Sequence, residues 1–372
     1  MVATVADIVD IMEKIAPSRL AESWDNSGLQ AGKKNWPVKN IQVALDPLPG
    51  VVAAACEKDI DLLITHHPLL FRPIKSVDLD TPAGSIIGDL IKNRVALFSA
   101  HTNLDSSIGG VNNVLADRIG LRNLEVLQKC SPAEIFKLVV YVPVEYEEKI
   151  LHALFETPAG RIGPYSSCSF RNRGKGAFKP DVSAKPFTGE AGDVSHVDET
   201  RIETIVEKDD ISAVIQRIEQ IHPYETMAHD LYPLKNSEGK QGLGRVGELE
   251  KPMDLGSFAI KIRDELGIAA VRVAGESDLR VTRAAVCSGS GGGLMDAFFS
   301  SGAEVYISGD MRYHDARDVE AASKGLIDIG HFNSEHLIVD VVVERLQKLI
   351  AERGMNINIE SCGLENDPFR HV

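Results

Sequence analysis

The sequence predicts an α/β protein whose layered core is formed by the N- and C-terminal segments and interrupted by an inserted α+β domain. Short apolar runs alternate with helical patterns through the first third of the chain, which is typical of a layered α/β structure. From Ser131 the order becomes strand, helix, strand, strand, helix, strand, the ferredoxin-like order. Strand–helix alternation then resumes. We therefore expect a core of residues 1–130 and 249–372 and an insert of residues 131–248.

Composition is that of an ordinary globular protein with more than one domain. The chain has 372 residues, of which 44% are hydrophobic and 25% charged. Its net charge of -14 argues against nucleic acid as a partner. Its five cysteines form no C-x-x-C pair, which favours reduced structural thiols. The N-terminus predicts an amphipathic helix rather than a signal peptide, and no apolar run is long enough for a membrane span, so a cytoplasmic protein is expected.

Two segments near the N-terminus carry candidate residues with competing interpretations. Ala21–Gly32 is rich in turn-forming residues around Trp24, and packing of this ring against the core is favoured over a place beside a site. Ile41–Asp46 is predicted to be a short strand that ends in an acid. We expect Asp46 to cap the next helix, with support of a nearby site as the alternative.

The segment Asp61–Phe71, DLLITHHPLLF, combines a predicted buried strand with two adjacent histidines at its carboxyl end. In open α/β sheets, ligands bind at the carboxyl ends of strands. Pro68 forces a turn that allows both imidazoles to face one site. For His66 and His67, capping of the strand and ligation of a metal are both open interpretations.

Two later strands repeat this arrangement. One runs into His101-Thr-Asn-Leu-Asp105 before a glycine-bearing helix start, which predicts a loop that bears ligands, with a helix-capping carboxylate as the alternative. Another ends at His331. Ser334 is expected to cap the long helix that follows, so that Glu335 lies in its first turn and converges with His331.

Two glycine-rich segments are conspicuous. Gln241–Glu250 is expected to mark the boundary of the insert. Ser288–Leu294, SGSGGGL, lies between a strand and a helix, which suits either a backbone cradle for an anionic ligand or a close-packed turn. The candidate ligand-binding residues in this segment are Ser288, Gly289, Gly291 and Gly292.

A set of histidines and carboxylates therefore follows strands from both ends of the chain. It comprises His66, His67, His101, Asp105, Asp310, His331 and Glu335. Imidazoles and carboxylates suit zinc, iron or manganese, and these donors exceed the four ligands of a closed structural zinc site. A two-metal hydrolytic site uses that many donors. Scattered surface histidines are the alternative interpretation.

Six motifs resemble the Ngg-interacting-factor-three-like family, whose members are often labelled GTP cyclohydrolase type 2 homologues. They are WDNSGL at Trp24–Leu29, ITHHPLLF at Ile64–Phe71, HTNLD at His101–Asp105, SGSGGG at Ser288–Gly293, SGDMRYHDA at Ser308–Ala316 and IGHFNSEH at Ile329–His336. The resemblance extends over the whole chain.

This resemblance implies two divalent metal ions per subunit. The implied ligands are His66, His67, Asp105, His331 and Glu335. We expect His101 and His314 to support these ligands or to contact substrate. The longer members of the family are similar in carrying a middle domain of the PII/CutA-like, ferredoxin-like kind, and they assemble as toroidal hexamers. His222 and Glu225 of this domain are expected to be structural at a trimer contact.

Two functions follow from the resemblance. The first is metal-dependent hydrolysis of a small or nucleotide-like substrate through a metal-bound water, and a GTP cyclohydrolase reaction in which SGSGGG holds the triphosphate is one example. The second is a regulatory or metal-sensing ring that binds a small ligand or a protein partner without catalysis. No feature of the sequence selects guanine over another substrate.

Overall fold

The computed structural model describes residues 2–129, 135–163, 165–234 and 241–370. The chain divides into two compact units, one made of Met1–Cys130 with Gly239–Val372 and the other of Ser131–Glu238. Each unit has mixed helix and strand content, and the strands form three sheets. Among the described residues, no helix has both the length and the apolar character that crossing a membrane requires.

The N-terminal segment alternates helices and strands, as the sequence predicts. Its elements are α1 (Val5–Ile15), β1 (Gly28–Ala31), β2 (Asn40–Ala44), α2 (Pro49–Glu57), β3 (Leu62–Thr65), α3 (Pro82–Lys92), β4 (Ala96–Ser99), α4 (Thr102–Ser106), α5 (Val111–Arg118) and β5 (Leu121–Lys129). The amphipathic N-terminal helix is confirmed. Thr4 caps it by accepting a hydrogen bond from the amide of Asp7, whose carboxylate accepts the Thr4 amide in return.

The middle unit has the order strand, helix, strand, strand, helix, strand. Its elements are β6 (Ile135–Pro143), α6 (Glu147–Phe155), β7 (Ser169–Phe178), β8 (Ser195–Glu207), α7 (Ile211–Glu219) and β9 (His229–Leu234). They form one antiparallel sheet of order β7-β8-β6-β9. The arginine-bearing segment before Pro180 forms the single strand β7, which pairs with β8.

The C-terminal segment returns to the first unit. Its elements are β10 (Gly242–Asp254), α8 (Leu255–Leu266), β11 (Arg272–Ala274), β12 (Arg280–Ser290), α9 (Met295–Ser300), β13 (Val305–Gly309), α10 (Tyr313–Ala321), β14 (Gly325–Asp328), α11 (His331–Glu335), α12 (Ile338–Glu352) and β15 (Asn358–Ser361). Residues 242–248, which the sequence places in the insert, lie in β10 of this unit, so the predicted boundary is late.

The first unit contains two sheets. One has the order β1-β4-β3-β2-β15, with parallel pairing except at β1. The other has the order β11-β14-β13-β12-β10-β5, and β12, β13 and β14 are parallel. Both faces of the first sheet are covered. Leu62 and Ile64 pack with α1 and α12, whereas Leu63 packs on the opposite side with α2 and α3. Burial on two faces explains why β3 is a continuous apolar run.

The insert leaves the first unit at the end of a strand pair. Lys129 at the end of β5 lies opposite Gly242 at the start of β10 in an antiparallel register. The two chain ends that lead to the insert are therefore neighbours in one sheet. Gly244 and Gly247 of β10 have no room for a Cβ, because atoms of β5 and β12 lie within 3.0 Å of where it would be. The glycine-rich segment is thus a closely packed strand rather than a linker.

Candidate metal centre

The carboxyl ends of parallel strands from both sheets of the first unit carry the candidate residues. His66 and His67 follow β3, and His101 follows β4. Asp310 follows β13, and α11 follows β14 with only two residues between. Because the polar residues come directly after strands that are themselves buried, the core fixes where their backbones begin.

Six side chains from these strand ends come together, and we call them the histidine–carboxylate cluster. They are His66, His67, His101, Asp105, His331 and Glu335. Three overlapping triplets have their ligand atoms within 4.8 Å of one another: His66 with His67 and His101, His67 with His331 and Glu335, and His66 with Asp105 and Glu335. The cluster therefore has groups of side chains that could hold a metal ion.

Glu335 lies between the two halves of the cluster. Its Oε2 is 3.0 Å from Nε2 of His67 and 3.0 Å from Nε2 of His331. Its Oε1 is 3.7 Å from Nε2 of His66, which in turn lies 3.8 Å from Oδ1 of Asp105. The two oxygens of one carboxylate thus face different sets of imidazoles.

Each imidazole of the cluster has its Nδ1 held by an oxygen. The Nδ1 of His66 donates to the carbonyl of Ala100 at 2.8 Å, and the Nδ1 of His67 donates to Asp46 Oδ1 at 2.8 Å. A neutral imidazole that donates through Nδ1 carries its lone pair on Nε2. Metal-binding histidines are usually oriented in this way.

The same arrangement holds for the other two histidines. The Nδ1 of His101 donates to Asp25 Oδ1 at 2.8 Å, and the Nδ1 of His331 donates to Asp310 Oδ2 at 2.7 Å. Asp46 was expected to cap a helix, but α2 has no side-chain cap, and the carboxylate contacts His67 instead. The contact with His67 favours the alternative interpretation, in which Asp46 supports the site.

Two features of the cluster match the needs of a metal ion. The Nε2 of His66 is buried and has no hydrogen-bond partner among the described residues. The Nε2 atoms of His67 and His331 lie only 3.3 Å apart, and between neutral rings that carry their protons on Nδ1 neither atom can donate to the other. A cation between these nitrogen and carboxylate groups would satisfy them together.

The carboxylates favour positive charge in the cluster. Burial opposes the imidazolium form of His67, but the carboxylates of Asp46 and Glu335 outweigh it and raise the pKa of His67 to about 10. The hydrogen bond with Glu335 outweighs partial burial and raises the pKa of His331 to about 9. Burial would raise the pKa of Glu335, but the surrounding histidines hold it well below its usual value.

Helix α11 brings His331 and Glu335 together in a way that the sequence did not predict. Both side chains lie in one helical turn that begins after Gly330, whose φ of 80° is in the left-handed region. Ser334 does not cap the long helix, which starts at Ile338. Its buried hydroxyl donates to the carbonyl of His331 and accepts the amide of Gly289.

Asp105 also lies in a short helix rather than in the expected loop. Residues Thr102–Ser106 form α4, and the side chain of Asp105 is almost fully buried. Its Oδ1 lies 3.2 Å from the hydroxyl of Ser288. The carboxylate therefore faces the cluster and does not cap α5, whose preceding residue is Gly110.

The glycine-rich segment after β12 packs against the cluster. The amide of Ser288 donates to Asn112 and the amide of Gly289 donates to Ser334, both at 2.8 Å. Because both amides already donate hydrogen bonds within the protein, they are not free to bind an anion. The predicted anion cradle is therefore not supported at Ser288 and Gly289. A Cβ on Gly289 would lie 2.1 Å from Oε1 of Glu335, which identifies a close-packed turn. Roles for Gly291 and Gly292 in ligand binding stay predictions.

Three other candidate residues have surroundings that differ from those predicted. His314 is exposed and contacts Tyr313, outside the cluster. His101, expected to support the ligands, belongs to one of the three triplets itself. Trp24 does not pack into the core: the residue is 56% exposed, and its ring lies 6.0 Å from the ring of His101 and 5.7 Å from that of Phe71.

A cavity of about 840 Å³ opens beside His67 and His331. It is lined by residues from the ends of β2, β13 and β14, from the segment before β11, and from the C-terminal residues after β15. A cavity of this size accommodates a small organic molecule next to the cluster.

The family model Duf34/NIF3 (NGG1p interacting factor 3) matches residues 3–368. The chain belongs to the Duf34/NIF3 family. The family resemblance inferred from the six motifs is thereby confirmed. Since the model extends over both units, the family membership covers the middle unit as well as the histidine–carboxylate cluster.

Relatives in the Duf34/NIF3 family match the chain at full length. It is 40% identical over 362 residues to a Bacillus subtilis protein named GTP cyclohydrolase 1 type 2 homolog, with 97% of each chain covered. It is 35% identical over 371 residues to a Halalkalibacterium halodurans protein of the same name, with 100% of each covered.

Solved structures agree with the fold. A Bacillus cereus protein related to NIF3 matches with a TM-score of 0.81 and 38% identity over 100% of both chains. A Staphylococcus aureus protein matches with a TM-score of 0.80 and 31% identity, over 100% of this chain and 99% of that one. The mixed α/β architecture is therefore that of the Duf34/NIF3 family.

Proposed function

We propose that this protein binds two divalent metal ions in the histidine–carboxylate cluster and is a metal-dependent hydrolase of a small substrate. The observation that carries the proposal is the common orientation of four imidazoles, each with Nδ1 held by an oxygen and Nε2 directed at the cluster. The names of the relatives point to a GTP cyclohydrolase type 2-like reaction.

The overlapping triplets suggest how the ligands divide. We assign His67, His331 and Glu335 to one ion and His66, Asp105 and Glu335 to the other, with His101 beside His66 and His67. Glu335 is the shared carboxylate, since its two oxygens face different imidazoles. Zinc, iron and manganese all suit these donors.

Each part of the cluster has a separate task in this proposal. When bound, divalent ions lower the pKa of a water molecule and polarise the electrophilic atom of a substrate. Asp46 and Asp310 keep the protons of His67 and His331 on Nδ1, so that Nε2 stays free for ligation. Burial of His66 and Glu335 keeps bulk water from this side of the cluster. The adjoining cavity holds the substrate.

The first test measures bound metal in the purified protein and in Glu335→Gln, with the exposed Glu344→Gln of α12 as the matched control. We expect two ions per subunit in the wild type and the control, and a loss of at least one in Glu335→Gln. A wild-type content well below one ion per subunit would contradict the proposal.

The second test screens nucleotides, including GTP, and cyclic amides for hydrolysis by the same three proteins. We expect turnover that depends on metal and is lost in Glu335→Gln. Metal binding without turnover of any compound would instead favour a regulatory or metal-sensing ring assembly that binds a small ligand or a protein partner.

We propose further that the middle unit is a PII/CutA-like insert and that the protein forms a toroidal hexamer, as the family resemblance implies. The antiparallel sheet of order β7-β8-β6-β9 supports the first part, since it has the strand order of a ferredoxin-like unit. Light scattering tests the second part. A hexamer has six times the mass of the 40.5-kDa chain, and a monomer or dimer at micromolar concentration would contradict it.

A further inference from the structure

One wall of the cavity beside the cluster is formed by the C-terminal residues Asn366–Phe369. Glu365 fixes this tail in place: its carboxylate accepts the amide of Leu45 at 2.8 Å and the amide of Asp46 at 2.7 Å, and its side chain is only 1% exposed. The C-terminal tail is therefore an ordered wall of the cavity, and Glu365 attaches it directly to Asp46, the residue that orients His67.

The charged groups around the cavity are mainly carboxylates. Those that line it are Asp46, Asp310, Asp328 and Asp367. Outside the histidines, the lining contains a single cation, Arg272, and its guanidinium is paired with the carboxylate of Asp328. The carboxylate of Asp367 accepts hydrogen bonds from the Phe369 amide and from Asn333, which are neutral donors, so its charge is not neutralised by them.

The remaining lining is largely apolar. It includes Leu48, Val271, Ile329, Phe332 and Phe369, of which Phe369 is 78% exposed. Among the described carboxylates of the lining, Asp46 and Asp310 contact histidines and Asp328 pairs with Arg272, so Asp367 is the one whose charge is not balanced. An apolar wall beside this carboxylate suits a ring system whose edge carries hydrogen-bond donors or positive charge. Apart from the proposed metal ions, the described side chains of the lining offer a polyphosphate chain no cation that is not already paired with a carboxylate.

We propose that this cavity selects a compact ligand. The part of the ligand that points away from the metal ions is apolar, and it carries either no charge or a positive charge. Asp367 and Phe369 determine this specificity. The identity of the cavity as a substrate pocket rests on the proposed function. The selectivity itself comes from the cavity wall that contains Asp367 and Phe369, neither of which is a proposed metal ligand. A nucleoside triphosphate would therefore be a poor ligand with its phosphates in this cavity.

The test uses two bicyclic aromatic probes of similar size and opposite charge, N-methylquinolinium and naphthalene-2-sulfonate. Each is titrated into the metal-loaded full-length protein by calorimetry. We expect the cation to bind at least tenfold more tightly than the anion. In Asp367→Asn the affinity for the cation should fall about fivefold, which is the size expected for one partly exposed charge. In Phe369→Ala both probes should bind more weakly.

The control for charge is Asp10→Asn on the exposed side of α1, which should leave both affinities unchanged. Equal or tighter binding of the anion, binding of neither probe, or an equal effect of Asp10→Asn and Asp367→Asn would overturn the proposal. Metal content is measured on every variant, and the titrations are repeated after chelation. Loss of metal with the cation preference retained would count against the proposed function and not against this selectivity.

Discussion

At the scale of single residues, the cluster depends on oxygens that are distant in the sequence. His67 and Asp46 are 21 residues apart, and His101 and Asp25 are 76 apart. Holding Nδ1 fixes both the ring orientation and the atom that carries the lone pair, so loss of the acceptor would act on a bound metal ion through the imidazole.

Replacing Asp46 with Asn should therefore weaken metal binding without unfolding the protein. The amide nitrogen or oxygen can still occupy the space, but the charge that favours protonation of Nδ1 is lost. We expect metal affinity to fall about 10- to 100-fold, measured by competition with a chromophoric chelator. Asp10→Asn is the control. Unchanged affinity in Asp46→Asn, at normal thermal stability, would show that the contact with His67 has no such role.

Gly289 gives a second residue-level prediction. Its φ of 61° is in the left-handed region, and a Cβ there would clash with Oε1 of Glu335. We expect Gly289→Ala to lose about 1–3 kcal/mol of unfolding free energy and to bind less metal. Gly293→Ala is a matched control, because no atom lies within 4 Å of its would-be Cβ. Equal stability of the two variants in urea would contradict this reading.

The sequence predicts some of these residues and not others, for physical reasons. His66, His67 and His331 could be found because imidazoles directly follow apolar strands. Asp25 could not be distinguished from the other polar residues of its turn-rich loop, because its partner is determined by tertiary structure alone. Asp46 precedes a helix, and local sequence cannot separate a cap from a contact made 21 residues away.

At the scale of elements, a carboxylate fixes the start of the buried part of β12. Glu304, just before β13, accepts the amides of Thr282 and Arg283 and the hydroxyl of Thr282. Partial burial opposes its ionisation, but these hydrogen bonds outweigh it and lower the pKa of Glu304. Since β12 leads directly to Ser288 and Gly289, Glu304 anchors the strand that supports the cluster.

Glu304→Gln should destabilise the protein in a pH-dependent way. We expect a loss of about 1 kcal/mol at pH 7, since the carboxylate is partly exposed. A carboxyl group with a lowered pKa in the folded state stabilises the protein above its unfolded pKa, and this is lost as pH falls through the folded value. The wild type and variant should therefore converge in urea unfolding as pH is lowered from 7 towards 3. A difference that does not change with pH would refute the role of the charge.

Short elements were the hardest to predict. Helices α4 and α11 have five residues each and contain Asp105 and Glu335. Helices this short are too weak to form by propensity, so packing determines them. The longer α8 has a complete local signal, with Asp254 as N-cap and Gly267 in the left-handed conformation at its end.

At the scale of the whole molecule, the chain divides into two compact units, and the second is inserted into the sequence of the first. All residues of the histidine–carboxylate cluster lie in the first unit. The insert begins and ends where β5 and β10 are paired, so the sheet of the first unit is continuous without it. The change in pattern near Ser131 could be read from the sequence, whereas the strand character of Gln241–Glu250 could not, because its glycines resemble a linker.

Deleting Ser131–Glu238 and joining the ends by a short Gly-Asn turn should therefore leave metal binding intact. We expect a folded protein with the metal content of the full-length chain, measured by elemental analysis and circular dichroism. The deletion that extends to Glu248 is the informative comparison, because it removes part of β10 and should unfold the sheet. Loss of metal from a folded Ser131–Glu238 deletion would show that the cluster depends on the insert.

The position of β15 has a consequence for synthesis of the chain. It is the last strand in the sequence, and it pairs with β2, one of the first. His67 and His331 are separated by 264 residues, so the N-terminal half emerges from the ribosome with four of the six cluster residues and without His331 and Glu335. A metal ion bound as proposed could reach its final coordination only after Glu335 has been translated, and a chain terminated before that residue would expose the imidazoles of His66 and His67 without the carboxylate shared between them.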